Sequence, residues 1–361
     1  MNDRNSVKKS LIAGPLLDWY AENGRDLPWR KTHDPYKIWV SEIILQQTRV
    51  AQGLAYYRRF MDRFPDVQAL AAAPEDEVMK YWQGLGYYSR ARNLHAAACT
   101  VVGEMGGVFP RDYRGVRSLK GIGDYTAAAI CSVAYGLPVA AVDGNVYRVL
   151  SRVFDVAIPI DGGAGKRFFA ELAAVQLDPV RPGDYNQAIM DFGALQCVPG
   201  RPDCQTCPLA EKCLGRASGR VLSLPAKAAK TAVKPRYFHY FRVRYRGNIL
   251  LGRREGNDIW RGLYEFPLVE TVGPVEGEGL PADKRYGDLF AGTDAVVRGK
   301  TVMPPHVLSH RVIHACFYDV ETERLSPALA RYRAVPEDEL GERYAMPRLL
   351  TAFLEKERKG Q

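Results

Sequence analysis

Two carboxylates, a run of four cysteines and a turn bracketed by glycines are the parts of this sequence that could do chemistry. Glu42 stands in Trp39-Val40-Ser41-Glu42-Ile43-Ile44-Leu45-Gln46-Gln47-Thr48, with bulky apolar neighbours on both sides. Turned inward, a carboxyl in such surroundings keeps its proton to near neutrality and can serve as a general acid. Turned outward, it is one more charge on an amphipathic helix. Asp143 follows Ala140-Ala141-Val142 and precedes Gly144-Asn145-Val146, where a helix is expected to start. Its simplest role is to cap that helix. A capping carboxylate also stays ionised at the positive end of the helix dipole, so capping and stabilising a developing positive charge are compatible. An acid that holds its proton and a carboxylate that keeps its charge divide the work of breaking a bond whose carbon becomes cationic.

Cys197, Cys204, Cys207 and Cys213 follow the pattern C-x6-C-x2-C-x5-C. Soft thiolates this close in sequence can converge on one metal centre, and they suit an iron–sulfur cluster or a structural zinc. Arg201, inside this loop, could meet a phosphate. Cys99, Cys131 and Cys316 read as buried, unreactive thiols. Lys120-Gly121-Ile122-Gly123 precedes an apolar helix beginning near Asp124. Glycines there let the backbone turn tightly and aim free N–H groups at a phosphate, although the same pattern is often only a turn.

These residues need a scaffold. From Leu16 to about Cys213 the chain reads as consecutive helices. One opens at Asp34-Pro35 and runs on toward Tyr57 and Phe60, with Leu45 and Gln46 on the Glu42 face. Others are expected around Glu75–Trp82, Ser89–Gly103, Asp124–Tyr135, Asn145–Phe154, Lys166–Val175 and Tyr185–Leu195. Trp39 and Tyr57 read as core. Between Arg216 and Arg254 there are eleven Lys or Arg and no Asp or Glu. The first part of that stretch reads as a basic linker, 218–234. Tyr237–Tyr245 then reads as a strand, with Arg246-Gly247-Asn248 turning into Ile249-Leu250-Leu251. The expected architecture is a mostly α region, 1–217, followed by an α+β domain, 235–361. His306, His310 and His314 recur every fourth residue, but Val312-Ile313 and Cys316-Phe317-Tyr318 favour a strand over a metal-binding helix face.

The net charge of +9 and a pI near 9.1 favour a polyanionic partner. No secretory signal or spanning segment is legible, and the seven cysteines read as a reduced, cytoplasmic set.

Together these motifs resemble the MutY family of A/G-specific adenine DNA glycosylases, in the helix–hairpin–helix/endonuclease III superfamily. The resemblance spans Arg25-Asp26-Leu27-Pro28-Trp29-Arg30 to about His314 and includes the Glu42 helix, Trp82-Gln83-Gly84-Leu85-Gly86-Tyr87-Tyr88, and the hairpin running into Asp124-Tyr125-Thr126. It implies a catalytic region with a [4Fe–4S] loop and a C-terminal Nudix-like domain carrying Trp260-Arg261-Gly262-Leu263-Tyr264-Glu265-Phe266-Pro267. It further implies a monomeric, nucleoid-associated enzyme that flips adenine out of A:8-oxoguanine or A:G mispairs and cleaves its N-glycosidic bond. Glu42 would protonate adenine at N7, Asp143 would stabilise the sugar cation, and Tyr125 and Asn145 would support them. Trp29, Arg30 and Leu45 would line the adenine pocket. Arg25, Gln46, Gln47, Thr48, Tyr87, Lys120, Gly121 and Gly123 would meet DNA, with Gln47 and Tyr87 inserting near the lesion. The family reads 8-oxoguanine with a Phe-Ser-His loop tip; the corresponding residues here are Leu308, Ser309 and His310, so the wedge is expected to be aliphatic.

Endonuclease III-type enzymes place a nucleophilic lysine where this chain has Tyr125, which favours hydrolysis without strand nicking. The alternatives are an endonuclease III-type pyrimidine-lesion glycosylase/lyase and a non-catalytic iron–sulfur DNA-binding protein, which would need no pair of carboxylates.

Overall fold

The computed structural model describes residues 10–228, 233–275 and 283–360, which form two compact units. One comprises residues up to Ala72 together with Asn93–Lys230; the other comprises Ala73–Arg92 and Thr231 onward. Residues 73–92 therefore group with the C-terminal part of the chain, although they lie within the expected helical region.

The first unit is helical. Asp34 caps the Pro35–Leu45 helix by accepting from the Tyr36 amide at 2.9 Å, with proline at the first helical position. The helix expected to continue toward Phe60 ends at Leu45, and a second begins at Val50 and runs to Arg63. Gln47 sits between them with φ at +58°, a left-handed conformation that no α-helix accommodates. Trp39 and Tyr57 are buried, as expected of core residues. Helices Asp124–Tyr135, Gly144–Val153, Gly163–Gln176 and Pro182–Leu195 follow the expected pattern to within a few residues. The last three pack with Ala13–Asn23 around Leu16, Val149, Leu150, Phe169, Ile189 and Phe192. The basic stretch is tied down further than a linker would be. Leu224 is buried, its carbonyl accepts from Arg152 Nε at 3.2 Å, and the Ala228 amide donates to Asp161 at 2.9 Å.

In the second unit, a long strand β1 (Lys234–Tyr245) turns at Arg246-Gly247 into β2 (Asn248–Arg253). β3 (Tyr264–Glu265) pairs with β2, and β4 (Leu268–Thr271) pairs with β1. β5 (Val296–Val302), β6 (His306–Val307) and β7 (Arg311–Thr322) follow, and β8 (Arg333–Pro336) returns to β2. The central order is β3-β2-β1-β7-β5, with β1 and β7 parallel along their full length. Alternation along β1 sends Phe238 and Tyr240 toward the Arg348–Gly360 helix, where Phe317 stacks on Phe353 at 4.1 Å. Phe241 and Val243 face the other way, into a cluster with Leu289 of the Lys284–Phe290 helix. His306 and His314 lie on strands, so no helical metal face exists there.

Candidate active site

A cleft of about 660 Å³ in the helical unit is lined by Arg25, Trp29, Arg30, Glu42, Leu45, Gln46, Gln47, Thr48, Tyr125, Asp143 and Asn145. Residues spread over more than a hundred positions thus converge on one cleft. Glu42 comes from the Pro35–Leu45 helix, Tyr125 from the start of Asp124–Tyr135, and Asp143 and Asn145 from the start of Gly144–Val153.

Glu42 lies deep in this cleft. Burial is the main force on its carboxyl and, with the charge of Asp143 adding to it, pushes the pKa up to about 7; the Tyr125 hydroxyl and the Arg30 charge act in the opposite direction. Burial raises Asp143 as well, but this carboxyl is held by donors. It accepts from the backbone amides of Asn145 and Val146, both at 2.8 Å, and from Asn145 Nδ2 at 2.7 Å. These bonds and the Arg148 charge favour its ionised form. Asp143 is both the helix cap and a carboxylate facing the cleft, so the two readings of the sequence coincide.

Arg30 is fixed by a residue the sequence reading missed. Asp191 is fully buried and accepts from Arg30 Nη2 at 2.7 Å, from Arg25 Nε at 2.9 Å and from the Arg25 amide at 3.1 Å. Burial alone would raise Asp191, but hydrogen bonds from both arginines and the Arg30 charge hold it below the usual carboxylate range. The Arg25 guanidinium is therefore committed to this ion pair. Gln187 and Met190, on the same helix as Asp191, also line the cleft, and Met190 Sδ accepts from Tyr125 Oη at 3.2 Å. The available signal was an aspartate inside the apolar run Ala188-Ile189-Met190-Asp191-Phe192. Gly193, two residues before that helix ends, lets it approach closely: an added Cβ would lie 2.7 Å from Asn145 Cβ.

Lys120, Gly121 and Gly123 lie outside the cleft, exposed on the turn before Asp124–Tyr135. Gly121 has φ at +82°, and a Cβ there would collide with Asn93 at 2.6 Å. No side chain caps this helix, so its first N–H groups remain open to an anion.

The four cysteines of the 197–213 loop line one small cavity with Phe192, Leu209 and Arg152. Arg152 Nη1 donates to Cys197 Sγ at 3.4 Å, and Arg148 Nε donates to the Cys197 carbonyl at 2.8 Å. Among the described residues no three such side chains converge on a single point. Four soft thiolate donors around one cavity, with a cation beside one of them, suit a thiolate-bound metal centre.

In the second unit a cavity of about 830 Å³ is lined by the Gly84–Ser89 loop, Trp260, His306 and residues 307–311. Tyr87 is half exposed with φ at +47°, and its hydroxyl is hydrogen-bonded to Ser309 Oγ. Leu308 does not project as an aliphatic wedge. Its amide donates to the Arg311 carbonyl at 2.8 Å, and this tight turn folds its side chain back onto the core, leaving Val307, Ser309 and His310 outward.

The pattern described as "HhH-GPD superfamily base excision DNA repair protein" matches residues 40–158, and a NUDIX domain matches 239–356. The adenine DNA glycosylase of Rattus norvegicus is 44% identical over 367 residues, covering 87% of this chain and 71% of the relative. That of Buchnera aphidicola subsp. Baizongia pistaciae is 35% identical, covering 70% of this chain and 72% of the relative. Among solved structures, a thermostable thymine-DNA glycosylase superposes with a TM-score of 0.53 at 29% identity, covering 60% of this chain and 100% of that one. A trapped endonuclease III–DNA covalent intermediate has the same helical fold, with a TM-score of 0.50 at 21% identity over 57% of this chain and 94% of that one.

Proposed function

This chain belongs to the adenine DNA glycosylases, enzymes that remove adenine from DNA in base excision repair, and we propose that it acts on adenine opposite 8-oxoguanine or guanine by hydrolysis alone. The observation that carries the chemistry is the shared cleft of Glu42 and Asp143, one carboxyl pushed to about 7 and the other gripped by three donors.

A stacked base keeps its glycosidic bond out of reach, so adenine must be flipped into the cleft. Trp29, Arg30 and Leu45 hold it there, with Asp191 fixing the Arg30 guanidinium. Glu42, still protonated near neutrality, gives its proton to adenine N7 and makes the base a better leaving group. As the bond breaks, the sugar becomes cation-like, and Asp143 stabilises it until water adds. Asn145 and Tyr125 keep the two carboxyls oriented. Gln46, Gln47 and Thr48 at the cleft mouth, and Lys120, Gly121 and Gly123 on the hairpin, are assigned to the DNA backbone and the opened base pair. Tyr87, Ser309 and His310 are assigned to the opposite base, and Leu308 to supporting them from behind. Single-turnover excision on A:8-oxoguanine, A:G and A:T duplexes tests this reading; equal rates on all three would overturn it.

Cys197, Cys204, Cys207 and Cys213 would hold a [4Fe–4S] cluster, which would cross-link the loop and so supply structure in place of acid–base chemistry. Anaerobically purified protein is expected to be brown and to contain about four irons per chain. Stoichiometric zinc without iron would refute the cluster.

None of the described residues lining the cleft is a lysine, and Tyr125 offers no amine. A Schiff base with the abasic sugar is therefore not expected. The product should be an intact abasic site, and borohydride should trap little protein on DNA. Efficient trapping during normal turnover would reassign the chain to the nicking type.

A further inference from the structure

We propose that Arg253 and Tyr264, with the turn Trp260–Gly262 beside them, form a seat that holds the Glu75–Trp82 helix and the loop after it, and thereby sets where Tyr87 points. Both are positioning residues. Their effect on specificity rests on the proposed assignment of Tyr87 to the opposite base.

Arg253 on β2 and Tyr264 on β3 are direct partners across an antiparallel pair, so their side chains emerge together. From the acidic first turn of the helix, Glu75 and Asp76 meet this pair. Tyr264 Oη donates to Asp76 Oδ2 at 2.7 Å, while Arg253 Nη2 reaches Glu75 Oε1 at 2.6 Å and Asp76 Oδ1 at 3.1 Å. Farther along, Lys80 Nζ donates to the Gly341 carbonyl at 2.5 Å. At the end of the loop, Arg92 Nη1 donates to the carbonyl of Arg261, which the turn aims outward through positive φ at Trp260 (+62°) and Gly262 (+81°). Tyr88 Oη donates to the Met346 carbonyl at 3.4 Å and accepts from the Gly84 amide at 3.2 Å. Tyr87 thus sits within a segment fastened at several points along its length.

This gives the Trp260–Pro267 motif a task. Glu265 turns inward and accepts from Tyr240 Oη at 2.9 Å and Arg254 Nη1 at 2.8 Å, which braces the strand. Its neighbour Tyr264, alternating to the other side, grips the helix. The Tyr264 ring also packs edge-on against Tyr344 at 4.9 Å, so losing the hydroxyl alone leaves that packing in place. The two ion pairs are partly exposed and contribute little each, so the buried tyrosine is the stronger tie.

The test uses the full-length protein as Tyr264→Phe, Arg253→Ala and the double variant, with Arg253→Lys as the conservative control. Amide hydrogen exchange is followed across residues 75–92, and excision is measured on A:8-oxoguanine and A:G duplexes. The double variant loses the Tyr264–Asp76 hydrogen bond and both Arg253 ion pairs, and should speed exchange in 83–92 by at least about tenfold. Its A:G excision should stay unchanged while its preference for 8-oxoguanine falls about threefold to tenfold, with Arg253→Lys restoring its own share. Unchanged exchange in the double variant would overturn the seat. Faster exchange with an unchanged preference would uphold the seat and overturn the assignment of Tyr87 to the opposite base.

Discussion

Replacing Glu42 by glutamine is expected to stop adenine release and, above pH 7, to make the protein more stable. Both effects follow from one carboxyl that burial pushes up to about 7. A glutamine cannot deliver a proton, and loss of a positioned general acid costs about 10²–10⁴ in rate. For stability, the folded-state pKa lies above the unfolded one, so the native protein binds more protons between about 4.5 and 7. The Glu42 contribution is then fully present below the unfolded value and is lost as pH rises through the folded one. At pH 8 the wild type carries a charge in a desolvated place, at a cost of up to about 3 kcal/mol for the shift. Water entering the cleft reduces that figure. Glu42→Gln removes the cost and should melt several degrees higher than wild type at pH 8, with no gain at pH 4. In the wild type the single-turnover rate should fall as pH rises past about 7. A pH-independent difference in melting temperature would show that Glu42 is not held protonated.

Asp143→Asn should lose on the order of 10³ in rate while duplex binding and folding survive, because a fixed charge facing a developing cation is typically worth about that much. Asparagine is as good a helix cap as aspartate, so the Gly144–Val153 helix keeps its start. The local network would not be silent. Asn145 Nδ2 donates to Asp143 Oδ2, and Arg148 Nη2 donates to Asn145 Oδ1 at 2.8 Å. An amide nitrogen in place of Oδ2 sets donor against donor, and rotating Asn145 to relieve it would break the bond from Arg148. The variant should therefore lose about 1–2 kcal/mol of stability as well. Single-turnover kinetics and thermal melts measure the two losses separately; a rate within tenfold of wild type would remove Asp143 from the reaction.

Tyr125, Asp143 and Asn145 were legible in the sequence because they sit at helix starts, and Glu42 because apolar residues flank it. Asp34, Asp143 and the glycines near Asp124 mark helix boundaries, and boundary residues announce themselves by type. The break after Leu45 was not legible. Gln46-Gln47-Thr48-Arg49 contains neither glycine nor proline, yet the Thr48 amide closes a turn on the Leu45 carbonyl at 3.1 Å with the exposed Gln47 in a left-handed conformation. Asp191 was hidden for the opposite reason: it lies mid-helix in an apolar run, and only the folded structure brings Arg25 and Arg30 to it. The grouping of 73–92 with the C-terminal residues is a long-range contact pattern with no local signature. Leu308 was read by its place in a motif, whereas the turn it belongs to decides where it points.

Gln47 and Tyr87, the two side chains assigned to enter the duplex, are both non-glycine residues at positive φ. A left-handed conformation costs such a residue roughly 1–2 kcal/mol, and folding has already met that cost before any DNA arrives. Time is what this strain saves. A probe that had to adopt its shape at every base pair would be competent for only a fraction of each visit, and its apparent affinity would fall by that same fraction. With both backbones already in that conformation, a sliding protein can question each base pair as it passes. The pace of the search is then governed by how readily the DNA opens, which is the property that distinguishes a mispair from its intact neighbours.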